Sequence, residues 1–206
     1  MNDNQKATCR IPTDDVVKAA RTSRIALGQL FDDCYPMVFA YCSRRLLVRA
    51  TAEDVTSEVF LKVSSHLYDF SGETGEEFRA WMFRIATNEI NAVLRRTIRQ
   101  RELLEAAAHM GHVSSTVSTS LLASESPVEW QQVVQAISEL SEREQSIIAL
   151  RFFCELPHDQ VAAVLKIEPG TCRVALTRAL DKLRDRLRRS DDSIRSTSNT
   201  KRGGLS

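Results

Sequence analysis

Three stretches of this chain carry side chains suited to non-covalent chemistry. From Thr171 to Arg189, seven basic residues stand against two acidic ones, and Arg173, Thr177 and Arg178 fall near the start of that run. Side chains at the N-terminal end of a helix reach base edges in a major groove, while further Arg and Lys meet phosphates. From Arg84 to Arg101, five Arg stand against Glu89 alone, and the segment around them brings Trp81, Phe83, Asn88 and Asn91. Aromatic rings beside Arg hold unpaired bases by stacking, and Asn bonds base edges. The helical spacing favours Trp81 as a core residue over a stacking platform, and Asn88 and Asn91 read equally well as solvent-facing. Glu53, Asp54 and Glu58 share one helix face. Such a face suits a basic protein partner, and a solvated acidic surface accounts for it as well.

Covalent chemistry finds little here. His66, His109, His112 and His158 lack metal-ligand spacing, and neither a Gly-rich phosphate loop nor a nucleophile elbow is present. Cys9, Cys34, Cys42, Cys154 and Cys172 are odd in number and never spaced Cys-x-x-Cys, so no disulfide framework or zinc site follows. Cys42, Cys154 and Cys172 sit among apolar residues and read as small core fillers. The expectation is a protein that is not an enzyme and holds no metal or cofactor. Neither a secretory leader nor an apolar run of membrane-spanning length appears, which points to a cytoplasmic, reduced setting without membrane insertion.

The elements that position these residues are helices. With 43% hydrophobic residues, seven Gly and five Pro in 206 residues, the chain reads as globular and all-α. Residues 1–24 are polar and predicted to fray. From Ile25, apolar residues Leu27, Leu30, Phe31, Cys34, Val38, Phe39 and Cys42 recur at three- and four-residue steps, with a kink or break expected at Pro36. A second helix is predicted near Thr51, capped by it with Asp54 in a variant capping box. It buries Val55, Val59, Phe60, Val63 and Leu67. The loop Ser71–Gly75 leads into a long helix using Phe78, Trp81, Met82, Ile85, Ile90, Val93 and Leu94. The first domain is thus a bundle over 25–98. Residues 99–127 read as a flexible linker, because eight of the seventeen residues from Gly111 to Pro127 are Ser or Thr; the stretch Arg101–Met110 could extend the helix. A second domain spans 128–189. It opens with a helix carrying Trp130, Val133, Val134, Ile137 and Leu140, then a Ser141/Glu144 capping box and a helix with Ile147, Ile148, Leu150 and Phe152. A helix-turn-helix follows. Ala162 and Ala163 allow a close crossing, Lys166–Gly170 forms the turn, and Thr171 starts the basic helix, whose inner face is Val174 or Ala175, Leu176, Ala179, Leu180 and Leu183. Residues 190–206 are predicted to be a disordered tail.

In order and spacing these segments resemble the bacterial extracytoplasmic-function sigma factors. Ala52-Glu53-Asp54-Val55-x-x-Glu58-Val59-Phe60 is similar to the family's core-polymerase-binding helix. Phe78 to Asn88 (Phe-Arg-Ala-Trp-Met-Phe-Arg-Ile-Ala-x-Asn) resembles its promoter-melting and minus-ten segment. Leu140-Ser141-x-Arg143-Glu144 with the helix-turn-helix resembles its minus-thirty-five domain. The resemblance implies that Glu53, Asp54, Ser57 and Glu58 contact core RNA polymerase. It implies that Phe70, Trp81, Arg84, Asn88 and Asn91 meet the minus-ten strand, with Phe70 and Asn88 beside a loop that captures a flipped base. Arg151, His158, Asp159, Arg173, Val174, Thr177 and Arg178 would face minus-thirty-five DNA. Two departures stand out. Ser57 replaces the family's usual Gln, and Val174 and Ala175 replace its frequent Ser and second Arg.

The expected function is therefore a sigma factor. Its partners are core RNA polymerase, duplex and melted promoter DNA, and an anti-sigma protein as a further partner. The alternative is a helix-turn-helix regulator that binds duplex DNA as a dimer. A pure protein–protein adaptor leaves the basic second domain without a role.

Overall fold

The computed structural model of the chain describes residues 12–109 and 128–200. Most of the predicted linker, with His112, lies outside the described residues, as do Cys9 and residues 201–206. Among the described residues the fold is all-α. Helices α1 (Asp14–Ala20), α2 (Arg24–Leu46), α3 (Arg49–His66) and α4 (Gly75–His109) form the first set. Helices α5 (Val128–Ser138), α6 (Glu142–Ile148), α7 (His158–Leu165) and α8 (Pro169–Thr200) form the second, with a π-helical turn at Ala149–Phe153 between α6 and α7.

The segment expected to fray contains α1. Val17 and Ala20 are buried against the bundle, and that burial offsets the short helix's weak intrinsic stability. Helix α2 is capped by Ser23, whose hydroxyl accepts from the Ala26 N–H at 3.3 Å. It runs unbroken through Pro36, correcting the expected break. Pro36 and Asp32, whose carbonyl loses its usual donor to the proline ring, both face solvent, so water can serve that carbonyl. Helix α3 starts at Arg49 after an uncapped Val48, so Thr51 lies inside the helix rather than at its cap. Its predicted apolar face is buried as expected.

Helix α4 has a cap that the sequence reading passed over. The Glu77 carboxylate accepts from the Glu73 and Thr74 N–H groups, and the Thr74 hydroxyl oxygen accepts from the Glu77 N–H, a reciprocal box with Ser/Thr-x-x-Glu spacing. These bonds, led by the one from Glu73, hold the Glu77 carboxyl below the usual carboxylate range. No breaker stands between Gly75 and Gly111, and α4 continues to His109. Phe83 is fully buried and edge-on to Tyr41 at 5.4 Å, so it cannot stack on a base. Thr87 donates to the Phe83 carbonyl at 2.7 Å, which leaves the buried Tyr41 hydroxyl to donate to Thr87 at 3.0 Å. Burial pushes the Tyr41 phenol up to about 12.

In the second set, Ser141 and Glu144 form the predicted capping box. Phe152, expected on the core face, is exposed, because the π-turn shifts the helical phase by one residue. The helix-turn-helix bends at Lys166, in the left-handed region at φ 53°, and Ile167 N–H closes onto Ala162 C=O at 3.0 Å. Helix α8 therefore starts at Pro169 rather than Thr171, with proline in its favoured first position. Cys172, Leu176 and Ala179 face inward, and Val174 faces out. The predicted tail is helical as far as Thr200, in a stretch with no Gly or Pro before Gly203. Cys34, Cys42, Cys154 and Cys172 are all buried thiols.

Desolvation raises the Glu144 carboxyl, but the Lys182 ammonium at 2.6 Å and the Ser141 donors outweigh it and hold the group below its ordinary range. A lowered carboxyl contributes stability above its unfolded titration and loses it as pH falls through the folded one. Ser141→Ala is expected to destabilise the second domain by about 1 kcal/mol at neutral pH, with a deficit that narrows in acid. Urea unfolding at neutral and acid pH measures this, and a deficit independent of pH would refute it.

Candidate nucleic-acid interface

The first predicted surface lies on α3. Glu53, Asp54, Ser57 and Glu58 are all exposed. Arg49 pairs with Glu53 at 2.8 Å, and Lys62 pairs with Glu58 at 3.4 Å and with Glu89 at 2.7 Å. The Arg49–Glu53 pair is exposed and of small net energy, so a partner can displace it cheaply, while the Lys62 pair with Glu89 is half-buried. The Ser57 hydroxyl bonds back to the Glu53 carbonyl. Leu61, one turn beyond Glu58 on the same face, is 61% exposed, and Tyr68 just past the helix end is 84% exposed. The sequence reading did not single out these two. A large apolar residue at the outward phase of an acidic helix was the available signal.

The second surface lies on α4. Trp81, Arg84, Asn88 and Asn91 follow at three- and four-residue steps and make one stripe. Trp81 is half-buried and stacks on Phe70 at 4.9 Å, with the planes 29° apart; Phe70 also meets the edge of Phe78 at 5.8 Å. Asn88 is exposed. Arg84 keeps a buried Nε with no hydrogen-bond partner among the described residues. Asn91 is already engaged, its Oδ1 accepting from Arg45 at 2.9 Å.

The third surface is the helix-turn-helix. Arg173, Val174, Thr177 and Arg178 form adjacent exposed ridges at the start of α8. Asp159, in the first turn of α7, lies 3.9 Å from Arg173. His158 starts α7 with its Nδ1 buried and without a hydrogen-bond partner among the described residues. Arg151 in the π-turn is tied weakly to the Leu156 carbonyl at 3.4 Å. The structure thus brings Asp159, Arg173, Val174, Thr177 and Arg178 to one end of the domain. This arrangement suits a groove: a protruding helix end with Arg on its flanks and Thr177 between them.

The two domains are closed upon one another over the α4 stripe. Arg45 of α2 donates to Gln145 of α6 at 2.5 Å, Arg79 of α4 bonds Gln160 of α7, and Arg95 pairs with Glu142 at 2.9 Å. The Arg44 guanidinium lies 4.6 Å from the centroid of the Phe153 ring. Buried apolar residues run continuously from one domain into the other. A groove of about 400 Å³ remains between them, lined by Arg84, Thr87, Asn88 and Asn91 on one wall and by Glu142, Arg143, Ser146, Val164, Leu165 and Lys166 on the other.

A helical bundle with such a stripe, joined to a helix-turn-helix, defines a DNA-binding transcription protein of two recognition domains. The family model for Sigma-70 region 2 matches residues 30–100, and that for Sigma-70, region 4 matches residues 130–183. The chain is 29% identical over 160 residues to the ECF RNA polymerase sigma factor BldN of Streptomyces coelicolor; the match spans 75% of this chain and 58% of that relative. It is 24% identical to the RNA polymerase sigma factor YlaC of Bacillus subtilis over 84% of this chain and 98% of the relative. In fold it is similar to CnrH, solved in complex with the cytosolic domain of CnrY, with a TM-score of 0.61, 20% identity and coverage of 84% of this chain and 95% of that one. The chain belongs to the extracytoplasmic-function sigma factors.

Because ion pairs and polar bonds tie the domains together beside the shared apolar core, charge reversal is expected to loosen them. Glu142→Arg sets a third cation beside Arg95 and Arg45. Small-angle scattering is expected to show a larger radius of gyration for this variant than for the parent chain, and equal radii at low salt would rule out the ion pair as a tie.

Proposed function

We propose that this sigma factor binds core RNA polymerase through the α3 face of Glu53, Asp54, Ser57 and Glu58, extended by Leu61. The α4 stripe of Trp81, Arg84, Asn88 and Asn91, with Phe70 beneath Trp81, meets the melted minus-ten strand. Arg173, Val174, Thr177 and Arg178, flanked by Asp159, His158 and Arg151, meet the minus-thirty-five duplex. The observation that carries this reading is the sequence of surfaces along one chain: an acidic helix, an aromatic–Asn–Arg stripe, and a basic helix-turn-helix. Each matches the chemistry of a different contact. Unpaired bases stack on aromatic planes, and extruding one costs a few kcal/mol that stacking and edge hydrogen bonds offset. Duplex DNA is gripped at its phosphates and read at its base edges. The domains act as separate units, about 25–98 and 128–189, whose separation the intervening residues permit. The chain works in the cytoplasm, where polymerase and promoter are. An anti-sigma protein is a further proposed partner; the fold neighbour RpoE of Bartonella quintana was solved with the anti-sigma factor NepR. A dimeric duplex-binding regulator is not favoured, because it gives the region 2 match and its acidic helix nothing to do.

The chain is expected to co-elute with bacterial core polymerase at moderate salt in the presence of unrelated competitor DNA. Asp54→Arg should weaken that complex at least tenfold while leaving the circular dichroism spectrum and melting unchanged; undiminished polymerase affinity would remove Asp54 from the contact. Arg173→Ala should cost about 1–3 kcal/mol of upstream-element binding. Transcription is then compared on templates with intact and scrambled upstream elements. If scrambling has the same effect before and after the substitution, Arg173 does not read that element.

A further inference from the structure

We propose that α1 and the arginine that follows it are positioning elements for minus-ten base capture, acting by clamping the loop 71–75 from behind. This rests on the minus-ten reading of that loop and of the α4 stripe. The loop has the composition Ser-Gly-Glu-Thr-Gly, which by itself specifies little and leaves the backbone many conformations. Three ties narrow them. Arg21, just past α1, donates from its guanidinium to the Gly72 carbonyl and lies over the Phe70 ring at 5.6 Å. Asp14, in the first turn of α1, accepts from the Gly75 N–H through Oδ1 at 2.7 Å, where α4 begins. Glu77 takes the Glu73 and Thr74 N–H groups at 2.9 and 3.1 Å. Only the last tie is local. The other two span 51 and 61 residues of sequence and come from a helix anchored by Val17 and Ala20 in the core.

The clamp reaches the α4 stripe through a stack. Arg21 lies over Phe70, and Phe70 lies against Trp81. The Gly72 backbone runs so close to the Phe70 ring that a Cβ at Gly72 would collide with it. The loop backbone, the Phe70 ring and Trp81 are therefore one packed unit, and α1 fixes its rear. A loop held in one conformation before binding loses less entropy when a base enters, and it discriminates between bases because the edge-bonding groups cannot drift to suit a wrong one. Arg21 and Asp14 touch no base in this scheme.

The test uses holoenzyme reconstituted from bacterial core polymerase and the full chain, presented with single-stranded DNA carrying ten randomised positions. The parent chain should enrich a motif. Arg21→Ala and Asp14→Ala should each lower enrichment at one position of that motif by about tenfold, the scale of a lost charged hydrogen bond, with core-polymerase affinity unchanged. Asp14→Asn, which keeps an acceptor for Gly75, should retain the motif. Amide exchange should quicken at residues 72–75 in both alanine variants while the α2 and α3 amides stay as protected as in the parent. Unaltered motif and exchange would overturn the clamp, as would loss of core affinity in step with the motif, which would make α1 a general support of the fold. A parent chain that enriches no motif overturns the minus-ten reading itself, and the clamp with it.

Discussion

Arg45 is a cation at the junction of α2, α4 and α6, only 8% exposed, and its hydrogen-bond acceptors are the neutral amides of Gln145 and Asn91. Its Nε has no hydrogen-bond partner among the described residues. Desolvation lowers its pKa, and the neighbouring Tyr41 hydroxyl and the Glu142 carboxylate, itself bonded to Arg95, only partly restore it. Removing a guanidinium from water without a directly bonded counter-charge costs on the order of several kcal/mol. The contact that joins the domains thus carries a penalty as well as a gain. Cation–π, amide and ion-pair contacts around it offset that penalty, but each is of a kind that water and salt can replace. The polar part of the interface is therefore weak, and the shared apolar core supplies the remainder of what joins the two helical sets.

The closed arrangement also sets what the α4 stripe can do at a given moment. While Asn91 Oδ1 accepts from Arg45, the amide N–H groups are what Asn91 has left to offer a base edge. Asn88 and Arg84 line a groove whose other wall is the second domain. Arg143 and Lys166 of that wall face the same space as Arg84, so the groove is cationic apart from Glu142. Like charges held together in this way gain from either of two changes, separation of the walls or arrival of a polyanion. In both, the electrostatic repulsion across the closed groove is relieved.

Most of the local architecture was legible in the sequence because it is written in nearest neighbours. The apolar faces of α2, α3 and α4, the Ser141/Glu144 box and the helix-turn-helix follow from three- and four-residue periodicity and from caps. What was missed depends on distant residues or on phase. Helix α1 is too short to announce itself and exists because Val17 finds a core made by other helices. The π-turn adds one residue and turns Phe152 outward, a shift that no spacing rule anticipates. Lys166 adopts a left-handed conformation that closes the turn ahead of Pro169, so α8 begins two residues earlier than Thr171. The Thr74/Glu77 box, by contrast, stands in plain Thr-x-x-Glu spacing. Among site residues, the exposed positions Glu53, Asp54, Ser57, Glu58 and Arg173 fall where the pattern put them on the surface, whereas Val174, which the spacing offered to the inner face, points outward. Phe83 is inside, and the engagement of Asn91 by Arg45 comes from α2, far away in sequence.

The four buried cysteines give the fold a chemical clock. Cys34, Cys42, Cys154 and Cys172 are shielded within the helical sets, and burial pushes the Cys42 thiol up to about 11 and raises that of Cys172 as well. Alkylating reagents attack the thiolate, so at neutral pH these sulfurs react only when the surrounding helices part. Cys34 and Cys42 lie on α2 in the first domain; Cys154 and Cys172 flank α7 in the second. The rates at which the two pairs are trapped would register the opening of each half separately, in a chain that needs no added label.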